Sequence, residues 1–410
     1  MTDTGTAYGR KPGTHFADLT EVGAGTPMGE LMRRYWQPVG LAENATDIPK
    51  MVRALGEDLV LFRDTSGRPG LVHPRCVHRG ASLFYGRVEE DGIRCCYHGW
   101  KFNVEGHCLD QPSERDGGAK TEVFRQPWYP VEERYGLIFA YMGPPEKKPL
   151  LPRYDVLEGL GEGEHLFTDS NNLGAGTNGP EGLAPLNWLQ HFENIHDPAH
   201  FLWLHYLHSG PQFGPRFGEM DGVLAHPWTW VKGVEFAETG AGVIAKREGP
   251  MPENRYLKTR VETLFPCIRA VPNPWGKEGP TDHLGFMLPV DDTHFRIFTV
   301  LRGPDNMMFT GYAAMIKQRY AEIAEDPTRV QRIPNDLECQ AGQGPITLHS
   351  EEKLVSSDRG IAMLRRLYRN QMAIVAAGGD PINTAFTPGA ETIRVEAGSF
   401  IESAEAIAAE

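Results

Sequence analysis

Between about Gln37 and Met142, apolar residues come in short runs such as ALGEDLVLFRD, RPGLVHPRC and YGLIFAYMG, each cut by Gly, Pro or Asp before a helix could develop. Runs of this length, rich in Val, Leu, Ile, Phe and Tyr, suit strands joined by tight turns. The stretch reads as an all-β domain. Ahead of it, TPMGELMRRYW carries helical spacing through Trp36, with Thr26 placed to cap and Pro27 in the first turn. After the break GPPEKKPLLPRY the pattern changes. A helical segment is expected around Asn187 to His205, a strand in HFRIFTVLR, and helices in GYAAMIKQRYAEIAED and SSDRGIAMLRRLYRNQM. The expected class is α+β: an N-terminal helical segment (1–36), an all-β domain (37–150), then an α+β domain (151–410). The closing EAIAAE reads as a fraying tail.

A chain of 410 residues with 40% apolar and 23% charged residues can bury a large core and carries no sign of disorder. The net charge of −13, with no Lys/Arg-rich block, argues against a nucleic-acid partner. No run approaches the ~18 consecutive apolar residues of a membrane helix, and the first residues lack the apolar centre of a secretory signal. The expectation is a cytoplasmic protein without a membrane. Six cysteines, at 76, 95, 96, 108, 267 and 339, are too few for a disulfide scaffold.

Two groups of residues carry chemistry. In PRCVHRGASLFYGRVEEDGIRCCYHGWKF, Cys76 and His78 stand two apart, and after 16 intervening residues Cys95 and His98 form a C-x-x-H pair. Each half suits a tight turn, with Gly80, Gly92 and Gly99 supplying backbone freedom. Two Cys and two His suit tetrahedral zinc or a [2Fe–2S] cluster with both histidines on one iron. Cys96 lacks the spacing to His98 and reads as packing; Cys108, Cys267 and Cys339 read as small buried hydrophobes.

Farther on, NWLQHFENIHDPAHFLWLHYLHSG contains N-x-x-D-x-x-H-x-x-x-x-H at Asn194, Asp197, His200 and His205. Histidines five apart lie about 140° apart on an ideal helix, so both can aim at one metal only if the helix is kinked or unwound. Singly, the histidines of this segment, including His191, His196 and His208, read as surface or satisfied core. Phe201, Trp203 and Phe286 are candidate pocket walls but read first as core. The G-x-G-x-x-G at 174–179 has no strand before it and Pro180 after it, and GAGTPMG at 23–29 also lacks a leading strand, so no flavin or nicotinamide site is expected in the chain.

The first motif, with R-G after one histidine and Y-H-G-W-K-F around the other, resembles the Rieske domain of ring-hydroxylating oxygenases over roughly 37 to 150, and the second resembles the mononuclear iron motif of the same proteins. The likeness is to the oxygenase (α) components of the phthalate and phenoxybenzoate dioxygenase branch. It implies a helix-grip-like catalytic domain, a [2Fe–2S] cluster on Cys76, His78, Cys95 and His98, and Fe(II) on His200, His205 and a late carboxylate. Asn335-Asp336 resembles the segment that supplies it, with Glu338 and Asp358 as fallbacks. The same resemblance gives Asp197 a bridging role beside Asn194, and implies a homotrimer in which the cluster of one subunit serves the iron of the next. Electrons would come from a separate flavin/iron–sulfur reductase, possibly through a ferredoxin. The substrates would be O₂ and a small aromatic compound, either an aromatic acid or aryl ether dihydroxylated on its ring or, as the monooxygenase alternative, a compound dealkylated at O or N. A zinc-stabilised binding module, and a metal hydrolase using His200, His205 and Asp336, are the competing classes.

Overall fold

The computed structural model describes residues 11–115, 118, 120–170, 182–209, 231–251, 254–273 and 278–403. The G-x-G-x-x-G stretch and the final EAIAAE lie outside the described residues. Thr26 caps the helix Pro27–Met32 by accepting from the Gly29 N–H. The helix stops at Met32, short of the expected Trp36, because Trp36–Leu41 is drawn into a strand paired with Leu137–Tyr141.

The short apolar runs form small antiparallel sheets. Lys50–Ala54 and Glu57–Arg63 are joined through Leu55 and Gly56, both at positive φ, the pattern of a two-residue hairpin turn whose twist matches its strands. They continue into Pro69–Val72 and Trp128–Tyr129. A second four-stranded sheet runs Arg87–Glu89, Gly92–Arg94, Lys101–Phe102, Cys108–Asp110. Val60, Phe62, Val72, Ile93, Trp100 and Phe102 form the core that the two sheets share with Cys76 and Cys95.

The later half is built on a nine-stranded sheet whose main path is His165–Asp169, His294–Gly303, His283–Asp291, Ile268–Ala270, Arg255–Leu264, Gly242–Met251, Glu235–Glu238. Alternation assigns its two faces different tasks. Phe286, in register with Phe298 and Ile268, meets Phe139 and Tyr154 edge-on at 5.6 and 5.4 Å, so this face packs on the N-terminal β region. Each fully buried phenylalanine there is worth roughly 2–3 kcal/mol of apolar burial. The opposite face carries Phe295, against which the His191 ring stacks at 5.1 Å, and Thr263, whose Oγ1 meets His196 Nε2 at 2.8 Å. The helix Arg359–Ala376 buries Leu364, Leu367, Tyr368, Gln371 and Met372, one stripe at helical spacing. Among the described residues no helix is long and apolar enough to cross a membrane.

Candidate metal centres

The two halves of the first motif fold alike. In each, the glycine four residues after the cysteine has positive φ (Gly80 78°, Gly99 75°) and returns its N–H to the cysteine carbonyl, at 2.8 and 3.1 Å. Each cysteine N–H in turn bonds the carbonyl five residues on, Ala81 at 2.9 Å and Trp100 at 2.8 Å. Two matching loops therefore present a sulfur and an imidazole apiece. Both cysteines are buried, the His78 and His98 rings lie 4.6 Å apart, and His78 stacks flat on Trp100 at 4.5 Å.

Those donors fit a two-iron cluster better than a single ion. The sulfurs are neighbours, and burial, with Cys95 beside it, pushes the Cys76 thiol up to about 12. The buried Nδ1 of His98 has no hydrogen-bond partner. A tetrahedral zinc would gather all four donors within ~4 Å of one another. Among the described residues, however, no three of Cys76, His78, Cys95 and His98 offer ligand atoms within 4.8 Å of each other. Separation into a sulfur pair and an imidazole pair is what two bridged irons require.

The second motif does lie on a distorted helix, but not a continuous one. Trp188–Asn194 ends, Asp197 caps a new turn Pro198–Leu202, and Trp203–His208 widens into a π-helix. Widening to the i→i+5 pattern brings positions five apart toward one face. The His200 and His205 rings come within 5.4 Å, and with Asp336 they offer three donor atoms within 4.8 Å of one another. Asp336 Oδ2 lies 3.3 Å from His205 Nε2, and Oδ1 lies 3.5 Å from His200 Nε2. Asn194 Nδ2 sits between them, 3.1 Å from both His200 Nε2 and Asp336 Oδ1. Burial works against the Asp336 charge, yet the two imidazoles hold its carboxyl well below the usual range.

The two fallbacks are engaged elsewhere. Glu338 closes a capping box on the Asn335 N–H at 2.8 Å and pairs with Arg319 at 3.0 Å. Asp358 accepts from the Val355 N–H at 2.7 Å. In Asp197, Oδ1 accepts from the N–H groups of Ala199 and His200 while Oδ2 lies 3.9 Å from His200 Nδ1. That ring nitrogen meets the Asp197 backbone carbonyl instead, at 2.5 Å, because the carboxylate turns back to cap the helix.

Several expectations need correction. Cys96 and Cys339 are exposed rather than packed: Cys96 points out of a loop that turns Cys95 inward, and Cys339 is on the outer side of a short helix. Trp203, read as core, is 54% exposed. Phe286 is core, on the sheet face turned away from the metal residues. His191 and His196 are buried, while His208 is exposed. Three glutamines escaped sequence reasoning. Gln126 holds the first cysteine loop through the Val77 N–H and the His73 and Arg75 carbonyls, at 2.7–3.0 Å. Gln340 bonds His191 Nδ1 at 3.0 Å, and Gln190 bonds the Gln340 carbonyl at 3.0 Å, fastening the Asp336 helix to the Asn194 helix. An uncharged side chain with no motif around it leaves no signal for such a role.

The Rieske [2Fe-2S] domain family matches residues 35–129. The chain is 46% identical over 402 residues to the phenoxybenzoate dioxygenase subunit alpha of Ectopseudomonas oleovorans, covering 98% of this chain and 95% of that one. It is a Rieske non-haem iron oxygenase. Over 87% of its length this oxygenase is also 36% identical to the tert-butanol monooxygenase / tert-amyl alcohol desaturase oxygenase subunit of Aquincola tertiaricarbonis, of which 76% is covered. In solved structures, the fold matches dicamba monooxygenase bound to dicamba with a TM-score of 0.57 at 16% identity, covering 84% of this chain and 99% of that one. As in its family, the oxygenase uses a [2Fe–2S] cluster and mononuclear iron, and its relatives are oxygenase subunits of multicomponent systems.

Proposed function

We propose that this oxygenase hydroxylates a small aromatic compound, most directly an aromatic acid or aryl ether, with Cys76, His78, Cys95 and His98 holding the cluster and His200, His205 and Asp336 holding the iron. The observation that carries the reading is the second donor triad, gathered within 4.8 Å on a chain that also presents the paired Cys/His loops. The likeness to a phenoxybenzoate dioxygenase supports the aromatic acid or ether as substrate class.

When bound, the cluster supplies electrons one at a time and the iron supplies a place where O₂ is activated beside the substrate. The two imidazoles of His200 and His205 and the Asp336 carboxylate would hold that iron, a donor set that suits Fe(II) and O₂ chemistry. Asn194 donates to Asp336 Oδ1 and fixes the orientation of the carboxylate. Its second contact, with His200 Nε2, fills the gap between those two side chains. Asp197 is proposed to join His200 to His98 of a second copy in a homotrimer: with Oδ1 committed to capping, Oδ2 remains to accept from an outer ring nitrogen.

Reconstitution with a reductase, ¹⁸O₂ and a panel of aromatic acids, aryl ethers and N-alkyl arenes tests the reading by mass spectrometry. Gain of two labelled oxygens marks dihydroxylation; gain of one, or loss of an alkyl group, marks the monooxygenase alternative. Label in no aromatic product, with electrons still consumed on an aliphatic alcohol, would overturn the aromatic assignment.

A further inference from the structure

The sheet face beneath the metal helix carries a row of polar side chains that the iron triad does not use. Thr263 is in register with Arg269, Arg269 with Gly285, Gly285 with Thr299, and Thr299 with Asp169, so these five positions cross five strands on one face. His283, two residues from Gly285, shares that face. It is the face on which His191 and His196 rest, through Phe295 and Thr263. The row therefore lies under the segment that carries the iron-site residues.

Gly285 shapes the row. A Cβ there would stand 2.7 Å from Arg269 Nε and 2.8 Å from its Cγ, so the arginine side chain lies across the glycine toward Thr299. Thr299 is fully buried and its Oγ1 has no hydrogen-bond partner; His283 is fully buried and its Nε2 has none. The other nitrogen of His283 is spoken for: Nδ1 meets Asp282 Oδ1 at 3.0 Å, and Asn273 donates to Asp282 Oδ2 at 2.7 Å. A buried hydroxyl or imidazole nitrogen left without a partner is costly, and two of them on one interior face beside a guanidinium call for a polar guest. Leu301 on this face, with Phe167, Met308, Phe309 and Tyr312, supplies apolar and aromatic surface next to the row.

The geometry points to a substrate subsite in which Arg269 and Thr299 hold the carboxylate of an aromatic acid, the ring lying against the Leu301 and Tyr312 cluster toward the iron. Arg269 and the Thr299 hydroxyl donate to the carboxylate oxygens. Asp169, in register with Thr299, ends the row. The inference rests on the reading of the chain as an aromatic oxygenase and adds which end of the substrate is anchored, and by what.

The test uses the iron-loaded holoenzyme under anaerobic conditions and measures Kd by calorimetry for 3-phenoxybenzoate and for its methyl ester, which keeps the rings and removes the charge. The parent should bind the acid at least ~10-fold more tightly than the ester. Thr299→Val, which keeps the shape without the hydroxyl, and Gly285→Ala, which presses on the Arg269 side chain, should each weaken the acid about tenfold and leave the ester within about twofold. An unchanged visible cluster spectrum certifies the fold of each variant. Equal binding of acid and ester by the parent, or an acid preference that survives both substitutions, overturns the subsite. Oxygenation separates the two readings: an acid that binds selectively yet gains no oxygen when O₂ and reductase are supplied sinks the aromatic-oxygenase reading, and one that gains oxygen but binds no better than its ester sinks only the subsite.

Discussion

The two proposed metal centres are made in different ways. Each Cys/His loop closes on itself through two backbone hydrogen bonds within six residues, and small sheets hold the pair together. The proposed iron triad is instead assembled from a broken helix and a carboxylate 131 residues beyond His205, on a separate helix fastened by Gln190 and Gln340. The first centre is a local property of the chain and the second is a property of the packed fold. Disturbing the packing should cost the iron site first.

The largest expected effect comes from removing the distant ligand. Asp336→Ala should lose the mononuclear iron and reduce oxygenation to below about a thousandth of the parent while the cluster spectrum stays intact. Retained activity in that variant, together with its loss in Glu338→Ala, would reassign the carboxylate and weaken the contrast between the sites.

Next is the residue proposed to connect them. Asp197→Asn keeps a side chain that caps a helix as well as aspartate does, so the turn Pro198–Leu202 should persist with its histidine. It exchanges a carboxylate for a group with a donating end, and turnover should fall about 100-fold with both metals bound. Single-turnover reoxidation of a pre-reduced cluster in the presence of substrate and O₂ reads the step: a parent-like rate removes Asp197 from the route, and complete loss of iron makes it a ligand.

The contrast extends to acid. Burial pushes His191 down to about 4 and His196 to about 3, and both lie between the metal helix and the sheet. The folded protein refuses protons that the unfolded chain accepts below about 6.5, so stability is complete above that pH and declines as pH falls toward the folded values. From pH 7.5 to 5.5 these two histidines should cost roughly 2–3 kcal/mol. Urea midpoints measured across that range should fall with pH, and the iron should be released before the cluster bleaches. Cluster loss ahead of iron would reverse the proposed order.

The smallest effect probes the sturdier centre. Gln126→Leu leaves the His73 and Arg75 carbonyls and the Val77 N–H without their partner, at a cost of about 1–3 kcal/mol. Thermal bleaching of the cluster should shift down by several degrees with oxygenation at moderate temperature preserved.

What could be read from the chain follows the same division. The Cys76/His78 and Cys95/His98 pairs were legible because ligand, glycine and turn all fall within a few neighbours. The distortion between His200 and His205 was legible from the angular mismatch of five residues on a helix, although its form, a cap at Asp197 followed by a π-turn, was not. Asp336 came from resemblance alone, since no local pattern separates it from Glu338; the structure separates them because Glu338 closes a capping box and pairs with Arg319. His283 and Thr299 left no trace in sequence, because their common face exists only once four strands are in register.

The claim that one chain holds a two-iron cluster and a separate single iron is tested most directly by iron and acid-labile sulfide analysis of the parent beside Asp336→Ala. The account predicts about three irons and about two sulfides per parent chain, and about two irons with the sulfide unchanged in the variant. Stoichiometric zinc without sulfide in the parent, or sulfide lost together with iron in Asp336→Ala, would contradict it.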